Sequence, residues 1–207
     1  MLTIKDLSYT YASISQQSVF QNLNYQFEEG TFYSIVGHSG TGKTTLLSLL
    51  AGLDKPTSGQ VLLDGQDIRE IGYQAYRRNH VSLVFQNYNL LDYLTPLENI
   101  RLVNKKADPQ VLLHLGLSQE QIDRNILQLS GGQQQRVAIA RSLVSGANVM
   151  LLDEPTGNLD EDIAIDIVEH LKMIAHEEKK CVIMVTHSKA LANMADVQLT
   201  LRNGQFR

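Results

Sequence analysis

Between an apolar segment that ends at Val36 and an amphipathic one that opens at Lys43 lies Gly37-His38-Ser39-Gly40-Thr41-Gly42-Lys43-Thr44, a glycine, four residues, then Gly-Lys-Thr. Glycines at these points let successive backbone N–H groups curl around a phosphate, and the helix that follows turns its positive end to the same anion. Lys43 is placed to reach the β- and γ-phosphates, and the Thr44 hydroxyl to hold a divalent cation. A chance glycine turn would not leave an apolar strand and open an amphipathic helix, so the segment is read as a nucleotide site.

Two further groups carry chemistry. Val149-Met150-Leu151-Leu152 is an apolar run that ends in Asp153-Glu154. In open α/β sheets ligands bind beyond the carboxyl ends of the strands, which puts Asp153 beside the cation held by Thr44 and Glu154 beside an attacking water. His187 follows the run Cys181 to Thr186 and reaches the same edge, where a γ-phosphate contact would be made. Gln86 follows the run Val81 to Phe85 in the same way. Ser130 and Gln133 in Leu129-Ser130-Gly131-Gly132-Gln133 have the spacing of a capping box before a helix from Gln134 to Val144. An ordinary capped helix needs neither Gly131 nor Gly132. Glycines there bare a second anion-binding helix start, and two such starts in one chain suggest sites that meet between two chains.

The elements that must position these groups alternate. Short apolar strands at Phe32–Val36, Val81–Phe85, Val149–Leu152 and Cys181–Thr186 are separated by helical periodicity after Gly42, after Ser130 and from Ile163 to Ile174. That order predicts a parallel sheet covered on both faces. Leu2 to Leu7 and Phe20 to Phe27 alternate apolar with polar, as half-buried antiparallel strands do. Asn87 to Gln128 lacks strand patterning and reads as helices and loops, with a linker-like stretch from Asn104 to Pro109. The 207 residues fit one domain with inserted parts.

Composition narrows the classes. A formal charge of −4 gives no general pull toward nucleic acid or anionic lipid. The single cysteine, Cys181, lies in an apolar run and reads as a buried thiol of a reducing compartment. No apolar stretch approaches the roughly 20 residues that span a bilayer, and the first residues lack a signal-like core. The chain is therefore expected to be soluble, or held at a membrane through a partner.

Taken in order, these motifs closely resemble the ATP-binding cassette family. Ser130-Gly131-Gly132-Gln133 matches its signature; the phosphate loop and Asp153-Glu154 match its two nucleotide motifs. Gln86 matches its Q-loop, Asn158-Leu159-Asp160 its D-loop and His187 its switch histidine. Tyr11 falls where the family stacks an aromatic on adenine, with Tyr9 a nearby competitor. The resemblance implies an α/β P-loop NTPase fold over residues 1–207: a RecA-like parallel core, an N-terminal antiparallel β subdomain and a helical insert at approximately 87–145. It implies ATP contacts from Tyr11, Gly37, His38, Ser39, Gly40, Thr41, Gly42, Lys43, Thr44, Thr45, Ser130, Gly131, Gly132, Gln133 and Asp160. Mg²⁺ would be held by Thr44, Gln86 and Asp153, and hydrolysis carried by Glu154, His187, Gln86 and Lys43.

The same resemblance implies a head-to-tail homodimer around two ATP. The pair would drive a separate integral membrane permease subunit from the cytoplasmic side of the cell membrane, with no nucleic-acid partner. Asp153 to Asp160, Ser130 to Arg141 and Phe85 to Leu91 look most like the branch containing macrolide-exporter, lipoprotein-releasing, cell-division and antimicrobial-peptide-resistance ATPases. In that branch the cargo would be a peptide, drug or lipid-linked substrate. The segment from Ile100 to Leu115 is shorter than that branch leads one to expect.

Overall fold

The computed structural model describes residues 1–11, 18–157 and 159–207. The chain begins with β1 (Leu2–Thr10) and β2 (Ser18–Phe27), then β3 (Phe32–Val36) and α1 (Lys43–Leu50). A second antiparallel pair follows, β4 (Ser58–Leu63) and β5 (Gln66–Asp67), then α2 (Ile68–Ile71), α3 (Tyr73–Asn79) and β6 (Val81–Val84). Short helices fill the middle: α4 (Pro96–Arg101), α5 (Gln110–His114), α6 (Gln119–Ile122) and a 3₁₀ turn at Ile126–Gln128. After these come α7 (Gly131–Leu143), β7 (Val149–Asp153), α8 (Glu161–Glu177) and β8 (Cys181–Val185). The chain closes with α9 (Lys189–Ala192), β9 (Val197–Arg202) and β10 (Gln205–Phe206).

The strands form two sheets. The larger has the order β10-β9-β3-β8-β7-β6 and is parallel from β9 to β6, with β10 antiparallel at its edge. Both faces are covered, and this explains the unbroken apolar runs. Along β8, Cys181, Ile183 and Val185 enter one core cluster while Val182 and Met184 enter the other. Along β7, Val149 and Leu151 alternate with Met150 and Leu152 in the same way. One face packs on α1 and the smaller sheet, the other on α7, α8 and the short helices. Cys181 is buried, and burial pushes its thiol up to about 12.

Each helix follows its apolar stripe. On α8, Ala164, Ile167, Val168, Leu171, Ile174 and Ala175 recur at helical spacing and are all buried. On α1, Leu46, Leu47, Leu49 and Leu50 are buried against the sheet. Three of the four core strands end one residue away from the sequence reading, with Thr186 falling just outside β8. Phe85 lies outside β6 and is exposed, and Asp153 belongs to β7 because its backbone still pairs with Val185.

The smaller sheet, β2-β1-β4-β5, contains two strands that apolar patterning does not reveal. The opening Ser58-Gly59-Gln60 of β4 has no alternation because it faces an irregularity in β1. The β1–β4 register shifts between Lys5 and Ser8, with Asp6 at φ 49 and Gly59 at φ 81. Gly59 lies directly against β1: a Cβ there would meet Leu7 Cα at 2.7 Å and sit on the Asp6 carbonyl. Gly59→Ala should therefore cost roughly 1–3 kcal/mol, or a melting-temperature drop of about 2–12 °C. A thermal melt within 1 °C of the parent (about half a kcal/mol or less) would contradict the bulge assignment.

Candidate functional site

Strand order does most of the positioning. β3, β8, β7 and β6 are consecutive and parallel, so the residues after each emerge at one edge of the sheet. After β3 comes the glycine loop, after β8 His187, at the end of β7 Asp153 and Glu154, and after β6 Gln86.

The loop is shaped by its glycines. Gly40 and Gly42 take φ of 78° and 96°, a region that side chains disfavour. Gly42 is the N-cap of α1, and a Cβ on it would meet Val19 Cγ1 at 2.5 Å, so β2 packs against the bare backbone. The loop holds itself with Thr41, whose Oγ1 donates to the His38 carbonyl at 2.9 Å. Lys43 is buried and turns its ammonium back over the loop, donating to the Gly37 carbonyl at 2.9 Å and the His38 carbonyl at 3.1 Å. Thr44 is exposed at the first turn, and Thr45 is buried beneath it. The Tyr11 hydroxyl lies 2.6 Å from Thr45 Oγ1, and the Tyr11 ring, 40% exposed, stands edge-on to Tyr9 with 5.0 Å between centroids. Tyr9 packs against the core, so Tyr11 is the tyrosine that presents a ring beside α1.

Strand parity places the two acids differently. Leu152 faces the α7 side, so Asp153 faces α1. There burial raises its pKa above the ordinary aspartate range, opposed by the Thr44 hydroxyl and the Lys43 charge; Glu154 adds to the rise. A single carboxylate beside a hydroxyl suits Mg²⁺ when phosphate oxygens supply the remaining ligands. Glu154 has left-handed backbone, φ 49, unusual for a residue with a side chain. Its backbone N–H donates to the Val185 carbonyl at 3.1 Å. Its Oε2 faces His187 Nδ1 at 2.7 Å and accepts from the His187 backbone N–H at 3.3 Å. Glu154 is mostly covered while the His187 side chain is 71% exposed. Strain at Glu154 thus aims the carboxylate along the sheet edge toward the end of β8.

Gln86 is exposed, and a Cβ on Gly157 would lie 3.6 Å from its Nε2 and 3.9 Å from Glu154 Cβ. Gly157, not singled out from the sequence, therefore separates Gln86 from Glu154, and only the fold reveals this. Thr156, Gly157, Leu159, Thr186, His187 and Ser188 line part of a cavity of about 240 Å³. Asp160 is the exposed N-cap of α8 and makes no capping bond with its carboxylate. Its neighbour Asn158, part of the D-loop match, lies outside the described residues.

Ser130 does form the predicted capping box. Its Oγ accepts from Gln133 N–H at 3.4 Å, and Gln133 Oε1 accepts from Ser130 N–H at 2.9 Å. The glycines are not alike. Ser130 and Gly131 are exposed, but Gly132 is buried, and a Cβ on it would meet Ile163 Cγ2 at 3.0 Å. The missing side chain at Gly132 therefore serves α7–α8 packing. α7 belongs to the core cluster on the sheet face opposite α1. Among the described residues, no hydrogen bond or glycine contact links Ser130, Gly131 or Gly132 to the phosphate loop.

A glycine loop between a buried parallel strand and a helix, with acids, a histidine and a glutamine on neighbouring strand ends, defines the nucleotide-binding α/β class with a phosphate loop. The ABC transporter family model matches residues 20–157, and the chain belongs to that family. It is 44% identical to the uncharacterized ABC transporter ATP-binding protein YclH of Bacillus subtilis, covering 100% of this chain and 95% of that protein. It is 39% identical to the lipoprotein-releasing system ATP-binding protein LolD 1 of Chlorobium chlorochromatii, covering 92% and 82%. The dimeric structure of MJ0796, a bacterial ABC transporter cassette, superposes with a TM-score of 0.88 at 34% identity, covering 100% of this chain and 97% of that one.

The Asp153 environment sets a pH dependence. An aspartate whose native pKa lies above its unfolded value holds its proton more tightly when folded. It subtracts stability once the pH exceeds the ordinary carboxylate range and costs nothing below both values. Asp153→Asn should therefore melt higher than the parent at pH 7 without nucleotide and with chelator, and the gain should vanish as the pH falls below that range. A gain independent of pH, or a loss at pH 7, would contradict the burial-driven shift.

Proposed function

We propose that residues 1–207 form one ATP-binding cassette, with a helical subdomain at about 87–145, which hydrolyses Mg²⁺-ATP as a head-to-tail homodimer and drives a separate membrane permease. The observation that carries the reading is the placement of α1 and α7 on opposite faces of one sheet. Two anion-binding helix starts that one chain keeps apart can serve the same nucleotide only across two chains. Each site would combine the phosphate loop of one subunit with Ser130, Gly131, Gly132 and Gln133 of the other. The MJ0796 cassette is described as a dimer, which supports the arrangement.

Within each site Tyr11 stacks on adenine, and Gly37, His38, Ser39, Gly40, Thr41, Gly42, Thr44 and Thr45 surround the phosphates. Lys43 exchanges the two loop carbonyls it now holds for phosphate oxygens, a charge-assisted gain over neutral acceptors. Thr44, Asp153 and Gln86 would hold Mg²⁺, which would supply charge neutralisation for the phosphates. Glu154 orients the attacking water and takes up its proton, and the bond to His187 fixes the carboxylate for that task. His187 also reaches the γ-phosphate, and Asp160 faces the partner across the interface.

No helix among the described residues is long and apolar enough to cross a membrane, so the reading assigns membrane work to a partner. Phe85, Leu91, Tyr93, Leu102 and Val103 are exposed in the segment following β6, an apolar set suited to docking a protein partner. The similarity to LolD 1 supports a permease of the lipoprotein-releasing kind. The reading puts the cassette on the cytoplasmic side of that permease, with a peptide, drug or lipid-linked cargo.

Glu154→Gln tests the reading. The variant should lose at least about a hundred-fold in phosphate release. It should also pass from monomer to dimer on adding Mg²⁺-ATP, seen by light scattering on a sizing column. A variant that stays monomeric with saturating ATP would overturn the shared-site reading.

A further inference from the structure

The chain from Tyr88 to Leu91, just beyond Gln86, is held in an unusual way. Tyr88 and Asn89 both have left-handed backbone, φ 52 and 49. Asparagine tolerates this region, but tyrosine is strained in it. Two successive residues in a helical conformation of either hand point their carbonyls the same way, whereas extended residues alternate them. The strained pair therefore offers two parallel acceptors, and the Arg141 guanidinium takes both. Nη1 donates to the Asn89 carbonyl at 2.6 Å and Nη2 to the Tyr88 carbonyl at 3.0 Å. Among the described residues Arg141 makes no ion pair, and burial lowers its pKa. A partly desolvated cation is thus committed to two neutral carbonyls of one turn.

Arg141 lies in the last turn of α7, the helix whose first turn carries Ser130 and Gly131. Tyr88 also reaches that first turn: a Cβ on Gly131 would lie 3.3 Å from its hydroxyl. The turn is thus bonded to α7 near its last turn and lies against its first. The fully buried Asn99 of α4 extends the attachment, its Oδ1 accepting from Leu91 N–H at 2.9 Å and its Nδ2 donating to the Leu91 carbonyl at 3.2 Å. In contrast, Phe85, Gln86 and Asn87 are exposed, and the β6 ladder has ended at Val84. The chain from 88 to 91 belongs mechanically to the helical layer, and the joint with the sheet lies at 85–87.

We infer that Arg141 is a positioning residue which fastens residues 88–91 to α7 and so sets where Gln86, in the joint just before them, stands relative to the phosphate loop. The inference rests on the role given above to Gln86. Lysine cannot replace Arg141, because one ammonium lacks the planar fork that spans two carbonyls.

The test compares the full-length parent with Arg141→Lys, Gln86→Ala and the double variant, with Arg141→Ala as a second probe and circular dichroism to check folding. Arg141→Lys should reduce kcat for phosphate release about ten-fold and leave nucleotide affinity at the phosphate loop within about two-fold. In the Gln86→Ala background it should cost nothing further, because the arginine acts through Gln86. Amide exchange of the segment 88–91 should quicken by about ten-fold in Arg141→Lys without nucleotide, while α1 keeps its protection. Parental turnover in Arg141→Lys, losses that multiply in the double variant, or unchanged exchange at 88–91 would each overturn the tether. Exchange needs no turnover, so it separates a failed tether from a failed assignment of Gln86.

Discussion

Parallel pairing of β3, β8, β7 and β6 is the constraint from which the site follows. Four strands in one direction end at one edge, and a few backbone hydrogen bonds fix their relative heights. Val185 pairs with both Ile35 and Asp153, so the strands that lead to the phosphate loop, His187 and the two acids are tied through one residue. Burial on both faces leaves these strands little freedom to slip, since a shift by one residue would exchange the two cores. The polar residues that matter begin where the apolar run stops. This is why Asp153 is partly desolvated, and why Glu154 departs from strand geometry to reach His187.

On the proposed reading the same sheet separates what the chemistry must unite. With α1 on one face and α7 on the other, one chain would hold half of each anion site. A second copy would then be part of the site rather than an accessory. Closure between copies also excludes water, which strengthens every charge interaction around the γ-phosphate. The helical layer that carries α7 is held by short helices and capped turns rather than by the parallel ladder, with capping boxes at Thr95, Ser118 and Ser130.

How much of this could be read from the sequence depends on the range of the forces involved. The glycine loop, the acids after β7 and the capping box at Ser130 are local: each needs only its own segment, and each was legible. The parallel core was legible because double burial writes itself as continuous apolar runs. The strand β4 was not, because Gly59 answers a bulge in a strand more than fifty residues away, and no periodicity marks it. Gly132 read as backbone bared to an anion, yet its missing side chain accommodates Ile163. The grip of Arg141 on Tyr88 and Asn89 is a long-range pairing of a side chain with carbonyls, which residue types alone do not announce.

The central claim is that one working site needs two chains, and complementation between two dead proteins tests it most directly. Lys43→Ala removes the phosphate-loop half of each site, and Ser130→Arg blocks the opposite half. Each variant alone should be inactive. A mixed dimer, however, contains one site with an intact loop from one chain and an intact Ser130 from the other. With free exchange and independent sites, an equal mixture should recover roughly a quarter of parental phosphate release. No recovery, under conditions where exchange between the two variants is verified, would contradict the shared site and place the whole of catalysis within a single chain.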